Sequence, residues 1–321
     1  MQQDNLKNSE QDKRAASLKY SPFRVSEVKD AEAAVLLLQS TDKSTLLGIV
    51  EALSKYASTS KDNVKILFHF NAVNNVLPII EHEDIFIRRF AGKLLAEMTV
   101  VPNVTNSLIE SNCIEYFLKL LTNEKDTFMQ EYLSAILAKV SEDPCGNGLL
   151  AKHGSKVNLF FEGLQSPDPD VKKHYFEILH NIMQDPVAAR EISRSEKFSF
   201  PLLYQHFESK YPEIQNLALN VVADVISRNK DKDTQSLFLK TNGVKNDEWN
   251  DLHIKALEIL RFATENPVIV DELIDSESIP QILNYIKCAK DPTFAEALRI
   301  VVHVANTSRG RKVILYNIKR T

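Results

Sequence analysis

The 321-residue chain has eight glycines, one tryptophan and three cysteines, and each scarcity removes a class of answers. Glycine-rich phosphate loops are missing: Gly146-Asn147-Gly148 lacks the lysine that would follow in a nucleotide-binding loop. So little glycine, with almost no alternation of apolar and polar residues, argues against strands and for an all-helical chain. Cys113, Cys145 and Cys288 show no metal-type spacing, which fits unpaired thiols in a reducing compartment. No apolar run approaches the roughly 18 residues that read as a membrane span, and no signal-peptide core opens the chain. The formal net charge of −4 gives no general attraction for nucleic acid. The expectation is a cytoplasmic protein without membrane insertion, nucleic-acid partner, cofactor or metal.

What the chain does have is one pattern repeated seven times. An apolar or small residue is followed at +4, +7, +8 and +11 by others, starting at Thr45, Ile87, Met129, Val171, Ile214, Leu252 and Phe294. The steps are 42, 42, 42, 43, 38 and 42 residues. Rows such as Ile87-Ala91-Leu94-Leu95-Met98 and Val171-Tyr175-Ile178-Leu179-Ile182 put one apolar stripe on one helix face. A repeat of that length cannot bury its stripe alone, so consecutive repeats must stack as a helical solenoid. Residues 1–27 are polar and aperiodic and read as a disordered tail, and residues 28–321 read as the repeat array.

Punctuation marks the repeats. Boundaries fall near residues 60, 102, 144, 186, 229, 267 and 309, several of them at prolines suited to a first helical turn. Each repeat reads as a short, a medium and a long helix. Acidic turns such as Glu83-Asp84 and Asp168-Pro169-Asp170 cap the long helices. The clusters Arg88-Arg89 and Lys172-Lys173 read as solvated surface. The sixth repeat is short: between Gly243 and Asp251 there is no room for a regular medium helix, and Trp249 is expected to cover the gap. Arg309 to Ile318 reads as the first helix of a partial eighth repeat. Either Val313, Ile314, Leu315 and Tyr316 fold back over Phe294, Leu298, Val301, Val302 and Ala305, or that end is an apolar interface for another protein or a second copy.

Three helices per repeat, with the longest carrying the stripe, resemble the armadillo repeat. Three segments bring the resemblance closer: Ser166-Pro-Asp-Pro-Asp-Val-Lys-Lys173, Lys210-Tyr-Pro-Glu-Ile-Gln-Asn-Leu-Ala-Leu219 and Asn250-Asp-Leu-His-Ile-Lys-Ala-Leu257. They look like consecutive amino-terminal repeats of the armadillo repeat-containing protein 3 family, over residues 28 to 315, in a short form without the carboxy-terminal domain. The resemblance implies a right-handed solenoid of about seven repeats whose long helices line a concave groove. The +10 position of each row then faces partners: Lys55, Glu97, Lys139, Asn181, Asp224, Phe262 and Val304. One turn earlier stand Glu51, Lys93, Ala135, Glu177, Asn220, Glu258 and Ile300. Nuclear-import armadillo receptors carry asparagine and tryptophan ladders at these two positions. Asn181 alone matches the asparagine ladder and no tryptophan appears, so a lysine-rich signal would find no aromatic walls. The groove reads as mixed in charge at its amino-terminal end and apolar at its carboxy-terminal end.

Catalysis is not expected. His174 and His180 are six residues apart on one helix and diverge by about 240°, and the other histidines are scattered among repeats. The resemblance implies a non-catalytic protein-binding scaffold in cilia, sperm flagella or male germ cells. The alternative is a peptide-capturing adaptor or transport receptor.

Overall fold

The computed structural model describes residues 23–26, 28–153, 157–229, 231–241, 253–287 and 293–320. Among these the regular structure is helical, with no strand. The chain divides into two compact units, residues 1–146 and 147–321.

In the first unit, α1 (Val28–Leu37) precedes α2 (Lys43–Thr59), α3 (Lys61–His69), α4 (Ala72–Val76) with a 3-10 turn at Leu77–Glu81, and α5 (Ile85–Met98). Then come α6 (Pro102–Glu110), α7 (Cys113–Asn123) and α8 (Thr127–Ser141), and α9 (Pro144–Lys152) begins in this unit and ends in the second. The long helices α2, α5 and α8 pack in that order. Their facing stripes are those read from the sequence: Ile87, Ala91, Leu94, Leu95 and Met98, then Met129, Leu133, Ile136, Leu137 and Val140, are all buried. Each such aliphatic side chain contributes about 1.5–3 kcal/mol when taken from water, and so the stack, not helix propensity, holds the long helices in place.

The second unit continues with α10 (Val157–Gly163), α11 (Pro169–Ile182), α12 (Pro186–Ser193), α13 (Phe200–Tyr204), α14 (Pro212–Arg228) and α15 (Lys232–Lys240). It ends with α16 (His253–Ala263), α17 (Pro267–Asp275), α18 (Ile279–Lys287), α19 (Thr293–Ala305) and α20 (Ser308–Arg320). Here α11, α14, α16 and α19 stack in order. Residues 242–252 lie outside the described residues, and with them the expectation for Trp249; so do residues 1–22 and 27 of the expected tail.

The acidic turns at Asp84 and Asp168 cap as read, whereas α14, after Tyr211, has no side-chain cap. Asp42, Asp84, Asp126 and Asp168, each 42 residues from the next, accept backbone amides of the long helix they precede, as in Asp84 from Phe86 (2.8 Å) and Ile87 (3.3 Å). The hydroxyl of Ser44 and the bonds from Thr45 hold the Asp42 carboxyl down at about 2. The basic clusters differ from expectation. Arg89, with its side chain 17% exposed, donates from Nε to both oxygens of Asp126, at 3.0 and 3.2 Å, in the turn before the next long helix. Lys173 pairs with Glu213 at 2.8 Å, and Lys43 pairs with Glu83. The cation of one repeat ties the cap region of the next, because stacking brings residues about 40 positions apart side by side.

The turn between the short and medium helices holds a left-handed residue: Asn71 at φ 60°, Asn112 at φ 55° and Glu277 at φ 57°. Asparagine visits that region at low cost and glutamate does not. Glu277→Gly is expected to raise stability by about 1 kcal/mol. Urea denaturation measures it, and an unchanged midpoint would show that this turn carries no strain.

The second unit has an aromatic core. Phe160, Phe161, Phe176, Phe200 and Phe238 are fully buried. His206 is buried edge-on to Phe176, with ring centroids 5.1 Å apart. Burial, with the charge of Lys172 adding to it, lowers the His206 pKa from 6.5 to about 4. Between those two values the unfolded chain binds the proton and the folded chain does not, so stability is complete above the unfolded pKa and falls as pH drops toward 4. The loss is expected to be about 3 kcal/mol over that window. Denaturation midpoints at a series of pH values should show a slope that His206→Phe flattens; parallel curves for the two proteins would exclude His206 as its source.

Candidate partner-binding stripe

On α2, α5, α8, α11 and α16 one stripe is not buried in the stack: positions +3, +6 and +10 of the row. In the first unit, Lys55 and Lys139 at +10 are exposed and Glu97 is half-buried. Lys55 lies 3.9 Å from Glu51 at +6, and Lys139 donates to Glu142 at 2.6 Å. In the first pair only Lys55 is exposed. The Lys139–Glu142 pair, exposed at both ends, contributes at most about 1 kcal/mol. A partner's charge can therefore exchange with it. Lys139 also borders a cavity of about 440 Å³ with Lys61, Val100, Pro102, Asn106 and Glu142. At +3 the stripe is aromatic: Phe90 and Tyr132 are half-buried, and burial raises the Tyr132 pKa.

The second unit keeps Asn181 and Phe262 half-buried at +10, the Phe262 ring 3.8 Å from the guanidinium of Arg261. The backbone carbonyl of Asn181 accepts Nδ2 of Asn147 at 2.7 Å. Asp224 is placed differently from expectation. It is buried, with Oδ2 2.5 Å from Nδ1 of His180 and Oδ1 3.7 Å from Nε of Arg228. Arg228 in turn donates to Oε1 of Gln184 at 2.6 Å. That chain joins α11 to α14 and leaves the Asp224 carboxylate little room for a partner. His174, Glu177 and His180 form no ligand set; His180 serves this link.

The last long helix corrects the sequence reading by one residue. Ile300 and Val304, assigned to the groove, are fully buried, as is Ala297, and Thr293 is buried too. The stacking row is therefore Thr293-Ala297-Ile300-Val301-Val304. Its stripe is Glu296, Arg299 and His303, so this end is charged instead of apolar. Glu296 lies 2.6 Å from both Arg261 and Arg299, and Nδ1 of His303 is 3.0 Å from the Thr264 hydroxyl. Both registers fit the same spacing because α19 is apolar on two sides. The second side, Leu298 and Val302, matches Leu257 with Arg261 in α16 and Leu219 with Ala223 in α14, of which Leu257, Leu219 and Ala223 are buried and Arg261 is half-buried. In α19 Leu298 and Val302 are exposed. Helix α20 packs on α17, α18 and α19. It buries Gly310 and Ile314, but Leu315, Tyr316 and Ile318 remain exposed, so the fold-back read for Val313 to Tyr316 is partial.

The sequence reading missed Glu296, Arg299 and His303 for want of a register. It also missed the aromatic +3 row, although Phe90 and Tyr132 keep the 42-residue step and could have been found by it.

No family model matches the chain. It is 30% identical over 166 residues to Armadillo repeat-containing protein 3 of Homo sapiens, a match over 49% of this chain and 18% of the relative, so the chain spans about a fifth of that protein. Among solved structures, an engineered protein matches 90% of the chain and 72% of its own length, with a TM-score of 0.78 at 19% identity. A designed armadillo repeat protein matches 85% of this chain and 99% of itself, with a TM-score of 0.57 at 13% identity. Another, in complex with the peptide (KR)4, matches 73% and 99%, with a TM-score of 0.61 at 14% identity. The chain thus resembles Armadillo repeat-containing protein 3, and its fold is an all-α solenoid of the armadillo type.

Proposed function

We propose that this chain is a non-catalytic protein-binding scaffold that works in the cytoplasm, in ciliary, flagellar or male germ-cell assemblies. The observation that carries the binding role is the stripe itself. Within each compact unit, successive long helices bury their stacking rows and carry beside them ion pairs, amides and aromatic rings that are exposed or half-buried. Such a stripe, repeated every 42 residues or so, matches the spaced side chains of an extended partner segment. Its charged groups close on one another, an arrangement suited to recognition more than to proton transfer. The cellular setting is drawn from the resemblance to Armadillo repeat-containing protein 3.

A second reading, a peptide-capturing adaptor or transport receptor, draws on the designed armadillo protein bound to (KR)4. Against it, +6 carries Glu51, Lys93, Ala135, Glu177, Asn220 and Glu258, with no aromatic wall for a lysine stem. Affinity capture from testis or ciliated tissue separates the two. Axonemal or germ-cell components should come down with the wild type and be depleted with Lys139→Glu, whereas enrichment of import factors would sink the scaffold reading. The exposed Leu298, Val302, Leu315, Tyr316 and Ile318 support a second contact with another copy of the chain. Light scattering over a concentration series tests it, and a strict monomer throughout removes it.

A further inference from the structure

We propose that the first rung of the stripe is a seat for an aromatic side chain on a non-helical segment, and that Phe23 of this chain is its resident occupant. Residues 23–26 are not helical, and the Ser26 amide and hydroxyl both donate to Oδ2 of Asp30, at 3.2 and 3.1 Å, which fixes the entry into α1. Upstream of that anchor the Cδ2–Cε2 edge of the Phe23 ring lies against α2 at Gly48. A Cβ placed on Gly48 would stand 2.6 Å from Cδ2 and 2.9 Å from Cε2 of the ring, so the ring fills the space a side chain would take.

Gly48 is the +3 position of the first row. The same position holds Phe90 in the second repeat and Tyr132 in the third, so Phe23 supplies from outside the helix the aromatic surface that its neighbours supply from within. A glycine inside a helix costs about 1 kcal/mol relative to alanine. The ring seated on its bare backbone offsets that cost. The segment that carries the ring is not helical, so a segment of a partner needs no helix of its own to bring a ring to this place. On the scaffold reading above, a partner reaching the first repeat must displace Phe23.

Thiol labelling in the full-length chain tests the seat with no partner present. Glu51 lies one turn beyond Gly48 with its side chain 13% exposed. In Glu51→Cys, maleimide modification of that cysteine, resolved by mass spectrometry, is expected to be about tenfold faster with Phe23→Ala than with Phe23, the factor that 1.4 kcal/mol of closure gives. Phe23→Trp should return it to the slow rate. Thr45→Cys, one turn before Gly48, is a second probe if Glu51→Cys disturbs the helix. Equal rates with and without Phe23→Ala at both probes would overturn the proposal. So would a rise that Phe23→Trp fails to reverse, since that marks a loosened helix and not an emptied seat. The labelling is independent of partner capture, so either reading can fail without the other.

Discussion

Ile178→Asp is expected to unfold the second compact unit, while Asn181→Ala, three residues along the same helix, leaves it folded. Ile178 is fully buried in the row that seats α11 in the stack. A carboxylate there would have no partner and no water, at a cost of several kcal/mol. That is a large part of the roughly 5–15 kcal/mol that holds a domain together. Asn181 is half-buried on the stripe, and truncating its side chain should cost under about 1 kcal/mol. Circular dichroism and urea denaturation of both variants, followed by capture of partners, would check this. Equal loss of helicity at the two positions would mean that position 181 belongs to the core and that the stripe is misassigned.

Phe200→Ala should cost about 3–5 kcal/mol, the usual range for emptying a phenylalanine site. Phe200 has no solvent exposure and sits among three rings, with centroid distances of 5.1 Å to Phe198, 5.4 Å to Phe238 and 5.9 Å to Tyr204. Helix α13 is only five residues long, so its own hydrogen bonds cannot hold it. Removing the ring therefore both opens a cavity and releases the element that carried it. Phe200→Leu, which keeps most of the volume, should lose under about 1.5 kcal/mol. The shift in urea midpoint gives both values. A loss at Phe200→Ala no larger than that at Phe200→Leu would show that the neighbouring rings close the gap.

Much of the architecture was legible because stacking imposes a local rule. A helix buried on one side must repeat its apolar residues at helical spacing, and a stack of similar layers must repeat the whole pattern at layer length. The rows beginning at Ile87, Met129, Val171 and Ile214 obey both, and the same logic placed Asp84 and Asp168 at helix starts. The rule lost its power in α19. There Phe294-Leu298-Val301-Val302-Ala305 and Thr293-Ala297-Ile300-Val301-Val304 are equally good rows, and the wrong one put Ile300 and Val304 in the groove.

By itself, then, the sequence determined the helical class, the repeat length and the starts capped by Asp84 and Asp168, all of which depend on residues within a few turns of one another. Only the tertiary structure decided which polar groups are spent inside the stack. Asp224 meets His180 across 44 residues and Arg89 meets Asp126 across 37. Phe23 meets Gly48 from outside the repeats altogether. Periodicity reports which face of a helix is apolar, but the partner of a charge or a ring on another face is set by the neighbouring layer, whose offset only packing fixes.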